Sequence, residues 1–357
     1  MRAETPILET PTGKPRARAL GIPFAGRAGT NNALTDVPGV EVGYATLTEG
    51  DDVRTGVTAI HPRGRTNPGD PCAAGVHSQN GNGEMTGVSW IEESGTTAGP
   101  IAITNTHAVG IAHASIIRWT VKHHPDLAEA WLLPVAAETW DGYLNDINGG
   151  HVTVDVGLAA LESAASGPVD EGSVGGGTGM TSYTVGVFVQ ANFGARHELV
   201  IAGVPLGAEL ADDNPIEGSF SPAGAGSCIA VVATDAPLLP GQCEALARRV
   251  TLGLARTGTT GSHFSGDLFL GLSTANAGSF TPGSETLYGR GRSYDEISFV
   301  PWGYLDSFYE AVVQATEEAV VDCLVANSEM IGFRGHRTPA LPRDRLVKIL
   351  KARGAIV

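Results

Sequence analysis

The sequence predicts a mixed fold, α/β or α+β, on three observations. Short runs rich in β-branched residues recur along the chain, glycine-rich loops separate them, and a few segments carry apolar residues at helical spacing. Residues 1 to about 30 are polar and punctuated by Pro and Gly, which reads as an arm that wraps a neighbour or stays loose. IAIT from Ile101, HVTVDVG from His151, YTVGVFVQ from Tyr183 and ELVIAGV from Glu198 read as strands, with a helix from about Ala108 to His124. EGSVGGGTGM from Glu171 lacks the Lys-Ser/Thr of a phosphate-binding loop and the strand and acid of a dinucleotide fingerprint, so it reads as a flexible loop. Residues 208–226, AELADDNPIEGSFSPAGAG, are acidic and then small and polar, as in an exposed linker. SCIAVVATD then predicts a buried strand beginning at Ser227. QCEALARRVTLGLART predicts a helix stopping at Gly258, and DLFLGLSTA another buried strand. From Leu305 to Met330, the residues Leu305, Phe308, Val312, Ala315, Ala319, Cys323 and Ala326 share one face of a long packed helix, which Gly332 is expected to end.

Composition narrows the function. Hydrophobic residues at 42% against 17% charged describe a globular chain, and 357 residues suit one large domain or two intimate ones. Lys and Arg number 23 against 38 Asp and Glu, a formal charge of -15 with the basic residues scattered, so nucleic acid is excluded as a partner. No apolar run is long enough for a secretory segment or a bilayer crossing, which predicts a cytoplasmic protein with no membrane partner. Cys72, Cys228, Cys243 and Cys323 show no CxxC spacing and are expected as free thiols. His107, His113, His123 and His124 form no HExxH pattern. The last two precede Pro125 at a helix end, where they complement the dipole, so neither metal nor other cofactor is expected.

A linker that ends in Gly226-Ser227 at the edge of a buried strand is a place where the backbone can be cut without unravelling a core. By itself a serine after glycine at a strand start is an ordinary turn residue. The surrounding segments change its meaning: NALTDVPGVEVG from Asn32, RTGVTAIHP from Arg54, NGNGEMTG from Asn80, AETWDGYLNDI from Ala137, GSCIAVVATDAPLLP from Gly226 and LARTGTTGSHFSGDLFLGLSTAN from Leu254. In these, and in order from about Arg16 to Leu341, the chain resembles the L-aminopeptidase/D-esterase and β-aminopeptidase family of self-cleaving N-terminal-nucleophile hydrolases. The resemblance implies a four-layer α/β/β/α sandwich (the DOM fold). It also implies a cut into an α piece, 1–226, and a β piece, 227–357, which together make one compact domain. It further implies assembly into a homo-oligomer, a tetramer of αβ units that buries the N-terminal arm.

The chemistry gives that cut a reason. A serine hydroxyl needs a base beside it, and no GxSxG elbow with a matching His and acid is present. If Ser227 becomes an N-terminus, its own α-amine, with a reference pKa of about 7.7–8.0, is the nearest base. By the resemblance, Ser265 and Asp267 lie close to that amine: Asp267 holds and tunes it, and Ser265 relays or positions the proton. An unpaired carboxylate in an apolar run would cost several kcal/mol, which also favours a paired Asp267. Asn192 matches the family's oxyanion donor; read without the family, it is a turn asparagine beside Gly194. Glu138 matches the acid that receives the substrate's free amino group. Trp140 departs from the tyrosine of many relatives, with Tyr143 as a possible replacement for its hydroxyl. The expected substrates are small peptides, amino-acid amides and esters. The rival readings are an acyltransferase of the ornithine acetyltransferase type, whose new N-terminus is threonine rather than serine, and a processed but inert scaffold.

Overall fold

The structure is a computed structural model that describes residues 6–170, 183–216, 226–281 and 294–357, together with the backbone of 173–177. Two sheets form its centre. In the four-stranded sheet the order is β1 (Glu41–Glu49), β2 (Val53–His61), β5 (Ile101–Asn105) and β6 (Val135–Thr139), antiparallel except for the parallel β5–β6 pair. In the six-stranded sheet the order is β4 (Thr96–Thr97), β3 (Cys72–Gly81), β12 (Ser265–Ser273), β11 (Gly226–Thr234), β8 (Thr184–Asn192) and β7 (Ser173–Gly177). There β11 and β12 run parallel and the other pairs antiparallel.

The period of two along each strand sorts side chains into layers. On β11, Ile229, Val231 and Ala233 pack with Phe188, Leu268, Leu270 and Leu272 against Ile60, Ile101, Ile103 and Val135 of the other sheet. The alternate residues Cys228, Ala230 and Val232 face outward with Val185, Val187 and Phe269. They meet helices α4 (Pro240–Arg256) and α5 (Asp306–Ala326) through Leu246, Val250, Phe308 and Val312. On the far side Val57, Ala59, Ala102 and Ala136 are covered by α2 (Val109–His123) and α3 (Val154–Ser163), through Ile116, Trp119, Ala160 and Leu161. The layers are therefore α/β/β/α, as the family resemblance implied. Each fully buried Leu, Ile, Val or Phe in these three contacts contributes about 1.5–3 kcal/mol of transfer free energy. A short helix α1 (Val88–Ser94), the hairpin β9–β10 (Val200–Ile201, Val204–Pro205), the hairpin β13–β14 (Met330–Ile331, Arg337–Thr338) and the last helix α6 (Arg343–Ala352) complete the described elements.

Several expectations needed correction. HVTVDVG enters α3 rather than forming a strand, because the Thr153 hydroxyl caps the amide of Val156 and Gly157, Ala160 and Leu161 follow at helical spacing. ELVIAGV folds into the small β9–β10 hairpin, whose turn residues Ala202 and Gly203 both take positive φ (51° and 73°). Of the glycine-rich patch, Ser173–Gly177 is the edge strand β7 rather than a loop, paired with β8, and its remaining residues lie outside the described ones. Helix α5 stops at Ala326, six residues before Gly332, where Asn327 turns to ψ 153°. His123 does more than face the dipole of α2: its Nε2 is 2.5 Å from the Glu162 carboxylate.

The described part of the N-terminal arm does not hang loose, because its segment around Arg16 is tied to the rest of the chain. Arg16 is fully buried, its guanidinium donating to the carbonyls of Asn31, Asn32 and Val169 at 2.7–3.0 Å. Beside it the Ala17 amide donates to Asp322 at 2.7 Å and Arg18 pairs with Glu318 at 2.6 Å. Glu318 and Asp322, four apart on α5, are buried acids outside the apolar face of that helix. Their partners, the guanidinium of Arg18 and the amide of Ala17, stand some 300 residues earlier, a match that no local pattern contains.

Candidate active site

The first residues of β11 sit where both sheets approach. In register, Ser227 lies opposite Asn192 on β8 and Gly266 on β12, so Ser265 and Asp267 flank it on one side and an amide on the other. Ser227 is 2% exposed, and its Oγ accepts the backbone N–H of Trp140 at 2.9 Å across the gap between the sheets. The carbonyl of the same residue accepts from Asn192 Nδ2 at 2.6 Å. Both ends of the Trp140 peptide are thus tied to the nucleophile region. Asn192 is itself exposed and keeps a second amide hydrogen. Gly226 must be glycine here, because a Cβ would lie 2.4 Å from the Asn192 carbonyl oxygen.

Asp267, 3% exposed, takes the Ser265 hydroxyl at 2.6 Å on Oδ1 and the Asn80 amide at 2.9 Å on Oδ2. Burial raises its pKa, and the two hydrogen bonds act against that rise. Both donors are neutral, and no basic side chain among the described residues forms an ion pair with Asp267. The adjacent cysteine is not a competing nucleophile: Cys228 points into the helix-facing core, fully buried, and burial pushes its thiol well above the ordinary range.

Glu138 closes β6 on the opposite sheet at 2% exposure. Its oxygens accept the Glu84 amide at 2.9 Å and the Thr106 hydroxyl, again without a cation among the described residues. Gly83 separates Glu138 from the β12 side. A Cβ there would be 3.1 Å from both Glu138 Oε1 and the Gly266 Cα. Gln190 joins the sheets nearby, donating to the Thr139 hydroxyl at 2.7 Å.

The structure therefore brings Ser227, Ser265, Asp267, Asn192 and the backbone of Trp140 together, with Glu138 on the neighbouring strand end two residues before Trp140. The Trp140 ring lies against Gly142, where a Cβ would meet Cζ2, Cε2 and Nε1 at 2.7–2.9 Å. Tyr143 stacks on His336, with centroids 4.5 Å apart and planes 9° from parallel, and its hydroxyl donates to the Pro215 carbonyl at 3.5 Å. Sequence reasoning did not assign roles to Asn80, Gly83, Glu84, Thr106 or Gln190. The first three stand in the NGNGEMTG segment, whose glycine spacing was the available signal. Among the described residues no group of three or more His, Cys, Asp or Glu is arranged to hold a metal ion, and no helix is long and apolar enough to cross a membrane.

Comparison with known proteins agrees with this geometry. A β-peptidyl aminopeptidase, BapA, of Sphingosinicella microcystinivorans is 44% identical over 375 residues, covering 94% of this chain and 92% of the relative. The L-aminopeptidase D-Ala-esterase/amidase of Ochrobactrum anthropi, a serine aminopeptidase described as a variant of the Ntn hydrolase fold, superposes with a TM-score of 0.88 at 40% identity, covering 96% of this chain and 100% of that one. A β-aminopeptidase of a Burkholderia species gives 0.86 at 38% identity, covering 95% and 99%. These are aminopeptidases and amidases, which sets the acyltransferase reading aside. The sequence model of peptidase family S58 matches residues 32–184 and 181–338, so the chain belongs to peptidase family S58 and is an aminopeptidase of the Ntn hydrolase fold.

Proposed function

We propose that this aminopeptidase creates its own nucleophile by cutting the Gly226–Ser227 bond, giving an α piece of residues 1–226 and a β piece of 227–357. The observation that carries this reading is the setting of Ser227. It is the first buried residue of a central strand, between Asn192 and the Ser265–Asp267 pair, and directly follows a residue that tolerates no side chain. Its Oγ attacks the Gly226 carbonyl, the C–N bond breaks as the nitrogen takes up a proton, and water hydrolyses the resulting ester. The α-amine left on Ser227 then serves as the base for turnover, removing the Oγ proton as the hydroxyl attacks a substrate carbonyl. Asp267 is the counter-group of that amine and Ser265 the hydroxyl between them. The carboxylate is already buried with neutral donors only, and the cut supplies the missing cation. Asn192 offers its second amide hydrogen to the oxyanion.

Glu138 supplies substrate selection. The relatives' names span β-peptides, L-aminopeptidase substrates and D-alanine esters and amides, whose common feature is a free amino group near the scissile carbonyl. A buried carboxylate with two neutral donors recognises that group whatever the backbone spacing. The substrates are accordingly small peptides, amino-acid amides and esters, with the Trp140 ring forming part of the surroundings. We also place the enzyme in the cytoplasm, in keeping with the buried thiols of Cys72, Cys228 and Cys243; fractionation of cells with recovery outside the cytoplasm would contradict that. A tetramer of αβ units is supported by the segment 294–304. Tyr294, Phe299, Trp302 and Tyr304 are all at least half exposed there, on a backbone held by a reciprocal pair of hydrogen bonds between Asn276 and Ser298.

The deciding experiment for the central proposal is denaturing electrophoresis with intact mass measurement. Wild type is expected as fragments of 226 and 131 residues (357 minus 226), and Ser227→Ala as one chain. A wild-type chain that stays whole through long native incubation overturns the reading.

A further inference from the structure

Asn80 lies on β3 directly across from Asp267, at a break in the register between the two strands. Pairing runs Gly266 with Gly81, Asp267 with Asn80 and then Leu268 with Ser78, so Gln79 is the extra residue of a bulge. Directly opposed residues share a sheet face, and the bulge is what brings Asn80, rather than Gln79, onto the face of Asp267. Asn80 Nδ2 uses both of its hydrogens there, one on Asp267 Oδ2 at 2.9 Å and one on the Ser262 carbonyl at 3.1 Å. With Ser265 on Oδ1, each carboxylate oxygen is held from a different strand, and the carboxylate cannot rotate without losing both bonds.

We propose that Asn80 is a positioning residue of the reaction, fixing the rotation of the Asp267 carboxylate and joining it to the 259–264 loop that leads into Ser265. The inference rests on the reading of Asp267 as partner of the Ser227 amine. Asn80 does not touch the reacting atoms; it acts through Asp267. It also acts on the charge of Asp267, since its hydrogen bond opposes the burial that favours the protonated acid. The titratable neighbour across β11 is Cys228, which burial keeps protonated, so it adds no charge that would compensate for loss of the amide. Without Asn80 the anion is disfavoured and the carboxylate is free to turn.

The test uses Asn80→Ala and the isosteric Asn80→Asp beside Asp267→Asn, all in the full chain. The readouts are the rate at which the two fragments form, the pH profile of kcat and KM on an amino-acid anilide, and thermal melting. Asn80→Ala is expected to lose about tenfold in kcat at neutral pH with little change in KM, to move the acid limb of the profile to higher pH, and to recover toward the alkaline side. Asn80→Asp, which keeps the shape but sets a second carboxylate against Asp267, is expected to lose more and to shift further. If either variant folds and processes with a wild-type pH profile, or loses only melting temperature or KM, Asn80 is structural and the inference fails. If Asp267→Asn itself processes and turns over normally, the failure is in the reading of Asp267 instead. If Asn80→Ala does not fold, the pH profile of Asn80→Asp decides.

Discussion

Replacing Glu138 by Gln separates substrate recognition from self-cleavage, because only the substrate has a free amino group. In the wild-type site the carboxylate is 2% exposed and already receives the Glu84 amide and the Thr106 hydroxyl. A substrate ammonium adds a charge-assisted bond of about 1.5–3 kcal/mol, which corresponds to a preference of about 10- to 150-fold in kcat/KM for free over N-acetylated substrate. Gln removes the charge and keeps one acceptor oxygen, so that preference should collapse toward unity. The Gln amide nitrogen also faces one of the two donors, leaving a buried N–H or O–H unpaired at about 1–3 kcal/mol of stability. Rates are therefore compared well below the melting temperature of the variant. The assay is a matched pair of amino-acid p-nitroanilides, free and N-acetylated, with electrophoresis of the same preparations. Glu138→Gln should still appear as two fragments, since the precursor presents an internal peptide bond. A wild type that cleaves both substrates equally, a preference that survives in Glu138→Gln, or a variant that fails to process would each refute the assignment.

Three other outcomes are expected. The α-amine works in its neutral form, so activity should rise through the amine's pKa toward mildly alkaline pH; a rate flat from acid to alkali rules the amine out as base. Burial, with Glu318 nearby, pushes the Asp322 carboxyl up to about 7, so the folded chain keeps a proton there that the unfolded chain loses near 3.8. A raised acid pKa means stability falls as pH rises through that window and stays lower above it, so the melting advantage of Asp322→Asn over wild type should grow from pH 4 to pH 7 and be larger at pH 8 than at pH 5. A wild type more stable than the variant at pH 8 would show that ionised Asp322 is net favourable beside Arg16 and Arg18. Light scattering should report an assembly larger than one αβ unit, and a single unit at working concentration contradicts the tetramer.

The central strands were legible because burial on both faces leaves a continuous apolar run, as in the all-buried β12 and in β11 from Ser227 onward. The helices α2 and α4 were legible by their 3.6-residue period. What misled was local ambiguity. HVTVDVG has β-branched residues at alternate positions, yet a single threonine cap and three small or apolar positions one turn apart turn it into a helix. SVGGG ends in three glycines that carry no side chain to show a pattern, and its strand exists through backbone pairing with β8. Of the site, the residues proposed to carry the reaction were reached through the family resemblance, whereas the Trp140 backbone N–H on Ser227 Oγ and the amide of Asn80 were not. A main-chain donor has no signature in residue type, and Asn80 faces Asp267 only because of the bulge at Gln79, on a strand far from Asp267 in sequence.

The placement of the proposed cut also follows from how the sheet is built. From Ser227 to Thr234, β11 pairs along its length with β8 on one side and β12 on the other, and β12 pairs in turn with β3, so these two strands of the β piece lie between strands of the α piece. The helix-facing core mixes Val185, Val187 and Val189 from before the cut with Leu246, Val250, Phe269, Phe308 and Val312 from after it. The ties of the Ala17 amide and Arg18 to Asp322 and Glu318 likewise cross from one piece to the other. Breaking one peptide bond leaves every one of these contacts in place, since Gly226 is only half-buried and the strand beyond it is wholly buried. The cut changes little in the folding energetics and a great deal in the chemistry, where a neutral amide nitrogen becomes an amine beside a carboxylate that has only neutral donors. For the same reason the pieces should stay together without a covalent link, and separating them should require unfolding both.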